Sequence, residues 1–292
     1  MASDRSSAIA ISVIIPCRNA GSVLAGQLEA LSRQQCPRPW EVVVVDNGSS
    51  DDTRVVAERY RERLPNLRIV EASRRLGAAY ARNVGVDAAI GENVAFCDAD
   101  DEVGDGWLTA VDAALRENEF IAFRTETRKL NPRAPQRETK QSDGLQVYTY
   151  PPYLPYSGAT FAVRRHHFLR AGGFDESMLA CEDADFCWRL QLMGIPLRFA
   201  PDAVIHIRLR PTLWQMCRQA WIWGQYNVLL YKKFRPLGMP RLERVRGLRN
   251  LFGVLRRAFH VVDPQRRGPW LWQASWIAGR LVGSIRYRVW AL

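Results

Sequence analysis

The apolar run Asn93-Val94-Ala95-Phe96-Cys97 ends in Asp98-Ala99-Asp100-Asp101, which puts two acids one residue apart at the end of a strand-like segment. Neighbouring carboxylates repel, and burying an uncompensated ion costs several kcal/mol. A hard divalent cation, Mg²⁺ or Mn²⁺, removes that cost, and carboxylate oxygens are the donors it prefers. Such an ion usually arrives bridged to substrate phosphates. The plainer alternative is a solvated acidic loop, and Asp-x-Asp alone does not separate the two. A second acidic pair, Glu182-Asp183, precedes a helical pattern over residues 184–193. Carboxylates there complement a helix N-terminus, and a carboxylate within reach of a hydroxyl is also what a general base requires.

The elements upstream supply the context. Ile11 to Pro16 is a short apolar run stopped by proline, followed by Arg18-Asn19 and a helical pattern with Leu24, Leu28 and Leu31 on one face. The β-branched run Val42-Val43-Val44-Val45 reads as a strand buried on both faces, and it ends in Asp46-Asn47-Gly48-Ser49-Ser50-Asp51. Ser50 or Asp51 can cap the helix that carries Val55, Val56 and Tyr60. Leu67 to Val70 forms a third strand, and Arg74-Arg75-Leu76-Gly77 leads into a helix over 78–89. The strand before Asp98 is the fourth. This alternation predicts an α/β doubly wound sheet, in which ligands sit beyond the carboxyl ends of the strands. Asp46 and Asp98 both lie at such ends.

Several segments occur in a fixed order: SVIIPCRNA (12–20), VVVVDNGSSDDT (42–53), RRLGAAYARNVGV (74–86), VAFCDADDEV (94–103), AGGFDE (171–176), CEDADFCWRL (181–190) and His206. Together they resemble the family 2 glycosyltransferases of the GT-A fold, over roughly residues 9 to 206. The resemblance implies a mixed sheet flanked by helices in a catalytic domain over 1–210, with a nucleotide-sugar half (9–105) and an acceptor half (106–210). A C-terminal helical extension (211–292) lies outside it. It implies a metal-dependent, inverting enzyme of hexosyltransferase type. The donor would be a UDP-, dTDP- or GDP-sugar, and the acceptor a glycan, lipid or lipid-linked hydroxyl in cell-envelope glycan or glycolipid synthesis. On the matching positions, Asp46 would meet the nucleotide base or ribose; as a residue it could equally make an Asx turn. Asp98 would touch ribose and metal, Asp100 the metal bridging the diphosphate, and His206 would complete the metal shell. Pro16, Arg18 and Ala99 would line the nucleotide, and Arg75 and Arg82 would offset phosphate charge, with Arg75 otherwise a solvated loop charge. Asp183 would take the acceptor proton, and Glu182 would hold the acceptor or orient its neighbour. The glycines Gly172-Gly173 would let backbone approach a ligand closely.

Composition fits this reading. The chain has 292 residues, long enough for one large domain or a domain with an appendage. Its six cysteines show neither a Cys-x-x-Cys pair nor zinc spacing. Residues 1–8 read as a polar tail and the first apolar run is too short for a signal peptide, so the expected compartment is the cytoplasm. Residues 128–144 are polar with two prolines and read as a mobile loop near the acceptor. Charge is unevenly shared: residues 207–292 hold 17 Lys and Arg against two acids, +15, which leaves −4 of the total +11 for the rest. Seven of the ten tryptophans lie in that same tail. Trp with Arg at helical period is the composition of helices in a bilayer interface, and no run is long enough to span. The extension is therefore expected to lie peripherally on an anionic cytoplasmic membrane face, or else to pack with Trp inside.

The basic pI also invites a nucleic-acid reading, but no recognised module is present and the acidic cluster would repel phosphate without a metal. A nucleotidyltransferase would use the same sheet and acids but normally shows a Gly-rich basic loop after the first strand, where this chain has Pro16-Cys17-Arg18-Asn19-Ala20-Gly21. A non-catalytic sugar-nucleotide binder is the remaining alternative, and Asp98, Asp100 and Asp183 argue against it.

Overall fold

The computed structural model describes residues 8–64, 66–132, 141–142, 144–148 and 151–291. The chain divides into two compact units: Met1–Gln146, Pro155–Ser177 and Glu182–Leu209 form the first, and Val147–Leu154, Met178–Cys181 and Arg210–Leu292 the second.

The first unit opens with β1 (Ile11–Cys17), α1 (Leu24–Ser32), β2 (Trp40–Asp46), α2 (Thr53–Glu58), β3 (Leu67–Glu71), α3 (Ala78–Ala88) and β4 (Asn93–Phe96). It continues with β5 (Glu102–Val103), α4 (Trp107–Glu117), β6 (Phe120–Glu126), β7 (Gln141–Ser142) and β8 (Leu145–Gln146). β9 (Phe161–Arg164), α5 (Arg165–Arg170), α6 (Glu182–Leu192) and β10 (Arg198–His206) complete it. Among the described residues the main sheet has eight strands in the order β3-β2-β1-β4-β9-β6-β10-β5, and β7 and β8 pair separately. β1 to β4 are mutually parallel, whereas β9 runs antiparallel to β4 and β6, and β5 antiparallel to β10. The sheet is thus mixed. Strand order reverses at β1, between β2 and β4, and that switch point is where such sheets open a crevice.

Strand periodicity explains the two-faced core. Ile11, Val13 and Ile15 join Val42 and Val44 in one apolar cluster, with Leu24, Leu28 and Leu31 of α1 and Trp107, Val111 and Leu115 of α4. Ile14, Val43 and Val45 point to the other face, against Ala79 and Val86 of α3 and Phe186 and Leu190 of α6. With helices on both sides, every residue of Val42–Val45 is buried, which is why the run is continuously apolar. Phe96, Phe161, Phe168, Phe174 and Phe186 pack ring to ring on the second face, with centroids from 4.9 to 6.0 Å apart. They form the floor beneath the end of β4.

Some local expectations shift. α6 starts at Glu182, two residues earlier than the periodicity suggests, and His206 is the last residue of the nine-residue strand β10. Of the polar stretch 128–144, residues 133–140 and 143 lie outside the described residues.

The second unit holds α7 (Leu213–Phe234), α8 (Arg244–Arg256) and α9 (Arg267–Arg286), with short 3-10 turns at Arg235–Leu237 and Ala258–Val262. α7 and α9 touch through glycines. A Cβ on Gly279 would lie 2.1 Å from the Trp221 carbonyl oxygen, and one on Gly283 2.8 Å from that of Gln225. One turn further along α9 thus meets one turn further along α7, so the two helices run the same way at backbone contact. Arg280, buried between them, donates to Asn227 Oδ1 and to the Ala291 carbonyl. Among the described residues no helix is long and apolar enough to cross a membrane.

Candidate active site

The carboxyl ends of β1, β2 and β4 converge. Cys17 pairs with Asp46 in the β1–β2 register, and Ile14 pairs with Phe96, two residues short of Asp98. Asp46 is buried and its Oδ1 accepts from the Ser49 amide at 3.0 Å, so the Asx turn forms. Asn47 pins the next loop: its Oδ1 accepts from the Gly77 amide at 2.8 Å and its Nδ2 donates to the Arg75 carbonyl at 2.7 Å. Asp51, one residue before the N-cap Asp52 of α2, accepts from the Thr53 amide and also from the Gly21 amide at 2.9 Å, which ties the Arg18 loop to the end of β2. Burial, then Asp46, Asp98, Asp51 and Asp100, push the Cys17 thiol far above its usual range. Four carboxylates from two strand ends, those of β2 and β4, thus surround one buried sulfur at the end of β1. The crevice floor is strongly negative.

Asp98, Asp100 and Asp101 each bring a carboxylate oxygen to within 4.8 Å of the others. The donor set is all oxygen, hard and anionic, which fits Mg²⁺ or Mn²⁺ better than a soft ion. Asp101 is buried and its Oδ1 accepts from the Arg208 amide at 2.9 Å, while Arg208 Nε donates to the Asp100 carbonyl at 3.0 Å. The segment after β10 therefore shapes the acidic loop. His206 is not part of the three-carboxylate group. Its Nδ1 lies 2.7 Å from Glu126 Oε2, and in β10 it sits opposite Glu102 of β5. A carboxylate on Nδ1 is the arrangement that orients Nε2 of a ligating histidine.

Arg82 joins the two acidic groups. It projects from α3, is nearly fully buried, and donates to Asp98 Oδ1 at 2.8 Å and to Glu182 Oε1 at 2.8 Å. Its guanidinium also lies 5.6 Å from the Phe174 ring centroid. Burial works against its charge, but Asp98 and Glu182 outweigh it, so the guanidinium is held firmly protonated. Asp183 differs from its neighbour. Burial first, then Glu182, pushes its carboxyl up to about 7, against the Ala184 amide and Arg82, which lower it. Its Oδ1 accepts from the Ala184 amide at 2.7 Å, and a Cβ built on Gly158 would come 3.6 Å from Oδ2. A glycine therefore leaves space beside that oxygen.

The close backbone approach expected at Gly173 is made to a side chain of the protein. Its φ is +68° and a Cβ there would meet Asn83 Oδ1 at 2.7 Å. Asn83 accepts from the Phe174 amide at 2.9 Å and donates to its carbonyl and to Glu176 Oε1. Arg189, paired with Asp185 at 2.8 Å, donates to the Gly173 carbonyl. The glycine-rich turn is a structural clamp that sets Phe174 under Arg82.

The family model described as Glycosyl transferase family 2 matches residues 12–172, more than half of the chain. The chain belongs to this family. Glycosyl transferase family group 2 also matches, over residues 141–290. A pre-mycofactocin glycosyltransferase of Mycobacterium tuberculosis is 30% identical over 216 residues, 67% of this chain and 42% of that protein. The poly(ribitol-phosphate) beta-N-acetylglucosaminyltransferase TarS of Staphylococcus aureus is 28% identical over 185 residues, 62% of this chain and 32% of TarS. The matches thus span less than half of either curated relative. Among solved structures, TarS 1-349 in complex with UDP has a TM-score of 0.56 at 22% identity, covering 96% of this chain and 91% of that one. A Pyrobaculum calidifontis mannosyltransferase in complex with GDP-Man and Mn²⁺ has a TM-score of 0.65 at 21% identity, covering 94% and 86%. The fold is GT-A.

Of the residues selected from sequence, Asp98, Asp100, Arg82, Glu182 and Asp183 come together, with Asp46 at the neighbouring strand end. Pro16 is half-buried at the end of β1, Ala99 is buried between the two acids, and Arg18 is exposed. Arg75 stands apart from these: its Nη1 pairs with Glu176 Oε2 at 3.0 Å, so it is not merely a solvated charge. Sequence reading gave Asp101 no ligand role and passed over Glu126, Arg208 and Asn83. Asp101 was visible as the third acid of the run. Glu126, Arg208 and Asn83 carry no local signal, because their partners are 80 or more positions away.

Proposed function

We propose that the chain is an inverting glycosyltransferase that moves a hexosyl group from a nucleoside-diphosphate sugar to an acceptor hydroxyl in cell-envelope glycan or glycolipid synthesis. The observation that carries this is the Arg82 bridge, which holds an acidic group fit for a cation next to a second carboxylate pair. An in-line displacement needs both: stabilisation of the leaving group on one side and a base on the other. Asp98 and Asp100, with Asp101 beside them and His206 Nε2 oriented by Glu126, are the residues that would hold Mg²⁺ or Mn²⁺. When bound, that ion supplies Lewis-acid stabilisation of charge on the departing diphosphate.

The base is assigned to Asp183. Glu182 is committed to Arg82 and is poorly placed to take a proton, so it orients the pair. Asp183 has one oxygen on the Ala184 amide and the other beside the open space at Gly158. A carboxylate raised toward neutrality takes a hydroxyl proton more readily than an ordinary one, while remaining ionised at mildly alkaline pH. Asp46 accepts from the nucleotide base or ribose, Pro16, Arg18 and Ala99 line the nucleotide, and Arg75 meets phosphate on leaving Glu176. UDP, UDP-GlcNAc and GDP-Man in the neighbours' structures support a nucleotide-sugar donor. TarS is named as a poly(ribitol-phosphate) beta-N-acetylglucosaminyltransferase, which supports a polymeric acceptor. The basic extension meets an anionic membrane face in the cytoplasm.

The test is a screen of UDP-, dTDP- and GDP-sugars with Mn²⁺ or Mg²⁺, followed by NMR of the product. An α-linked donor should give a β-linked product. Retention of configuration would rule out the single-displacement role of Asp183.

A further inference from the structure

Six large apolar side chains of the second unit recur at spacings of three, four, three, four and three: Val245, Leu248, Phe252, Leu255, Phe259 and Val262. The first four lie on one face of α8 and the last two on the 3-10 turn behind it. All six are exposed, Phe252 by 65% and Val262 by 81%. α8 is not loose, because its opposite face is used: Val254 is buried and its carbonyl accepts from Trp270 Nε1 of α9 at 3.0 Å. The apolar stripe is thus held outward by a docked helix. Exposed large apolar side chains gathered in this way mark an interaction surface.

We propose that this stripe is the element that seats the C-terminal unit on an anionic lipid surface. The inference rests on the reading that the extension meets a membrane, and it names the helix responsible. Charge identifies the occupant. Residues 244–262 contain five arginines and no acid, and Arg249, Arg256 and Arg257 are exposed beside the stripe. A second copy of the chain would bring the same five positive charges against these. A sheet of anionic headgroups over acyl chains satisfies both the arginines and the apolar residues. With thirteen residues α8 is too short to span and suits lying in the interface plane.

The inference also relocates the contact. The tryptophan-rich helices α7 and α9, which composition marks as interfacial, spend their glycine faces on each other, and Trp272 stacks on Trp276 at 5.6 Å. The lipid-facing role falls to the helix that has no tryptophan.

Full-length protein is mixed at low salt with vesicles of phosphatidylglycerol and phosphatidylcholine, or of phosphatidylcholine alone, and sedimented. Wild type should sediment with the anionic vesicles and be released by salt. Leu248→Glu with Phe252→Glu should weaken sedimentation by about tenfold or more, since it removes two apolar contacts and adds two repelled charges. Trp214→Ala with Trp290→Ala, at exposed positions outside α8, should stay within about twofold. Unchanged melting of each double variant checks the fold. If the glutamate variant binds like wild type while the tryptophan variant does not, the membrane reading survives and the assignment to α8 is overturned. If wild type does not bind anionic vesicles at all, the membrane reading itself fails. A wild-type dimer that the glutamate variant splits, without vesicle binding, would overturn the inference in favour of contact between copies.

Discussion

Replacing Arg82 by Met keeps much of the side-chain volume and removes the one buried cation between Asp98 and Glu182. Removing one partner of a buried ion pair typically costs about 3–5 kcal/mol, because the other charge stays buried and unpaired. Here the two carboxylates differ. The Glu182 side chain is 11% exposed and feels the full loss, whereas Asp98 at 38% is partly rehydrated and screened. The cost should therefore fall at the lower end, about 3 kcal/mol, a drop in melting temperature of roughly 6–12 °C. The pH dependence follows from the sign. Without the guanidinium, which lowers it in the wild type, the already raised Asp183 carboxyl rises further above its unfolded value in the folded variant. The variant is then least handicapped below the unfolded value and loses stability as pH rises through the raised one. Melting at pH 5 and pH 8 should show a larger deficit at pH 8. Since Arg82 also lowers the Asp183 carboxyl, the acid limb of the rate profile should move to higher pH. Arg82→Lys, with one ammonium for two carboxylates, should recover part of the stability and little of the turnover. Melting of Arg82→Met within about 2 °C of wild type at pH 8, or a deficit that grows on acidification, would refute the bridge as described.

Asp100→Asn should keep the fold and lose most turnover, because a neutral amide oxygen replaces an anionic donor; near wild-type activity in chelator-treated buffer would remove Asp100 from cation binding. Asp183→Asn should slow transfer by about 10²-fold or more while nucleoside-diphosphate affinity, measured by titration, hardly changes. In wild type, transfer needs the Asp183 carboxylate ionised, so with the carboxyl raised to about 7 the rate should fall by about tenfold per pH unit below that value. A profile flat down to pH 5 would contradict it. Gly279→Ala puts a methyl 2.1 Å from the Trp221 carbonyl and should destabilise the α7–α9 pair by about 1–3 kcal/mol, read as faster amide exchange in both helices and nowhere else.

Much of the first unit is legible in one dimension. The run Val42–Val45, with no polar interruption, announces a strand covered on both faces, and the two clusters that divide Val42 and Val44 from Val43 and Val45 are that prediction in space. Leu24, Leu28 and Leu31 repeat at helical spacing because one face of α1 meets one face of the sheet. Acids at strand ends are equally visible, since Asp46 and Asp98 follow apolar runs that must stop where the sheet stops. The glycine pair Gly172-Gly173 was visible as a place of close backbone approach, but only the structure shows that the close neighbour of Gly173 is Asn83.

Sequence alone determined which residues alternate, which helices carry an apolar face, where the acids fall along the chain, and that the positive charge is concentrated after residue 206. Each of these is a property of near neighbours, set by side-chain period and composition. Tertiary structure decided the pairings: Arg82 with Glu182, a hundred positions apart, and Glu126 with His206, eighty apart. These depend on β9 inserting between β4 and β6 and on β10 lying beside β6, and periodicity reports the face of a strand but not its neighbour. It also decided which basic helix faces outward. α7 and α9 meet at their glycines, where their backbones touch, while the apolar stripe of α8 faces outward.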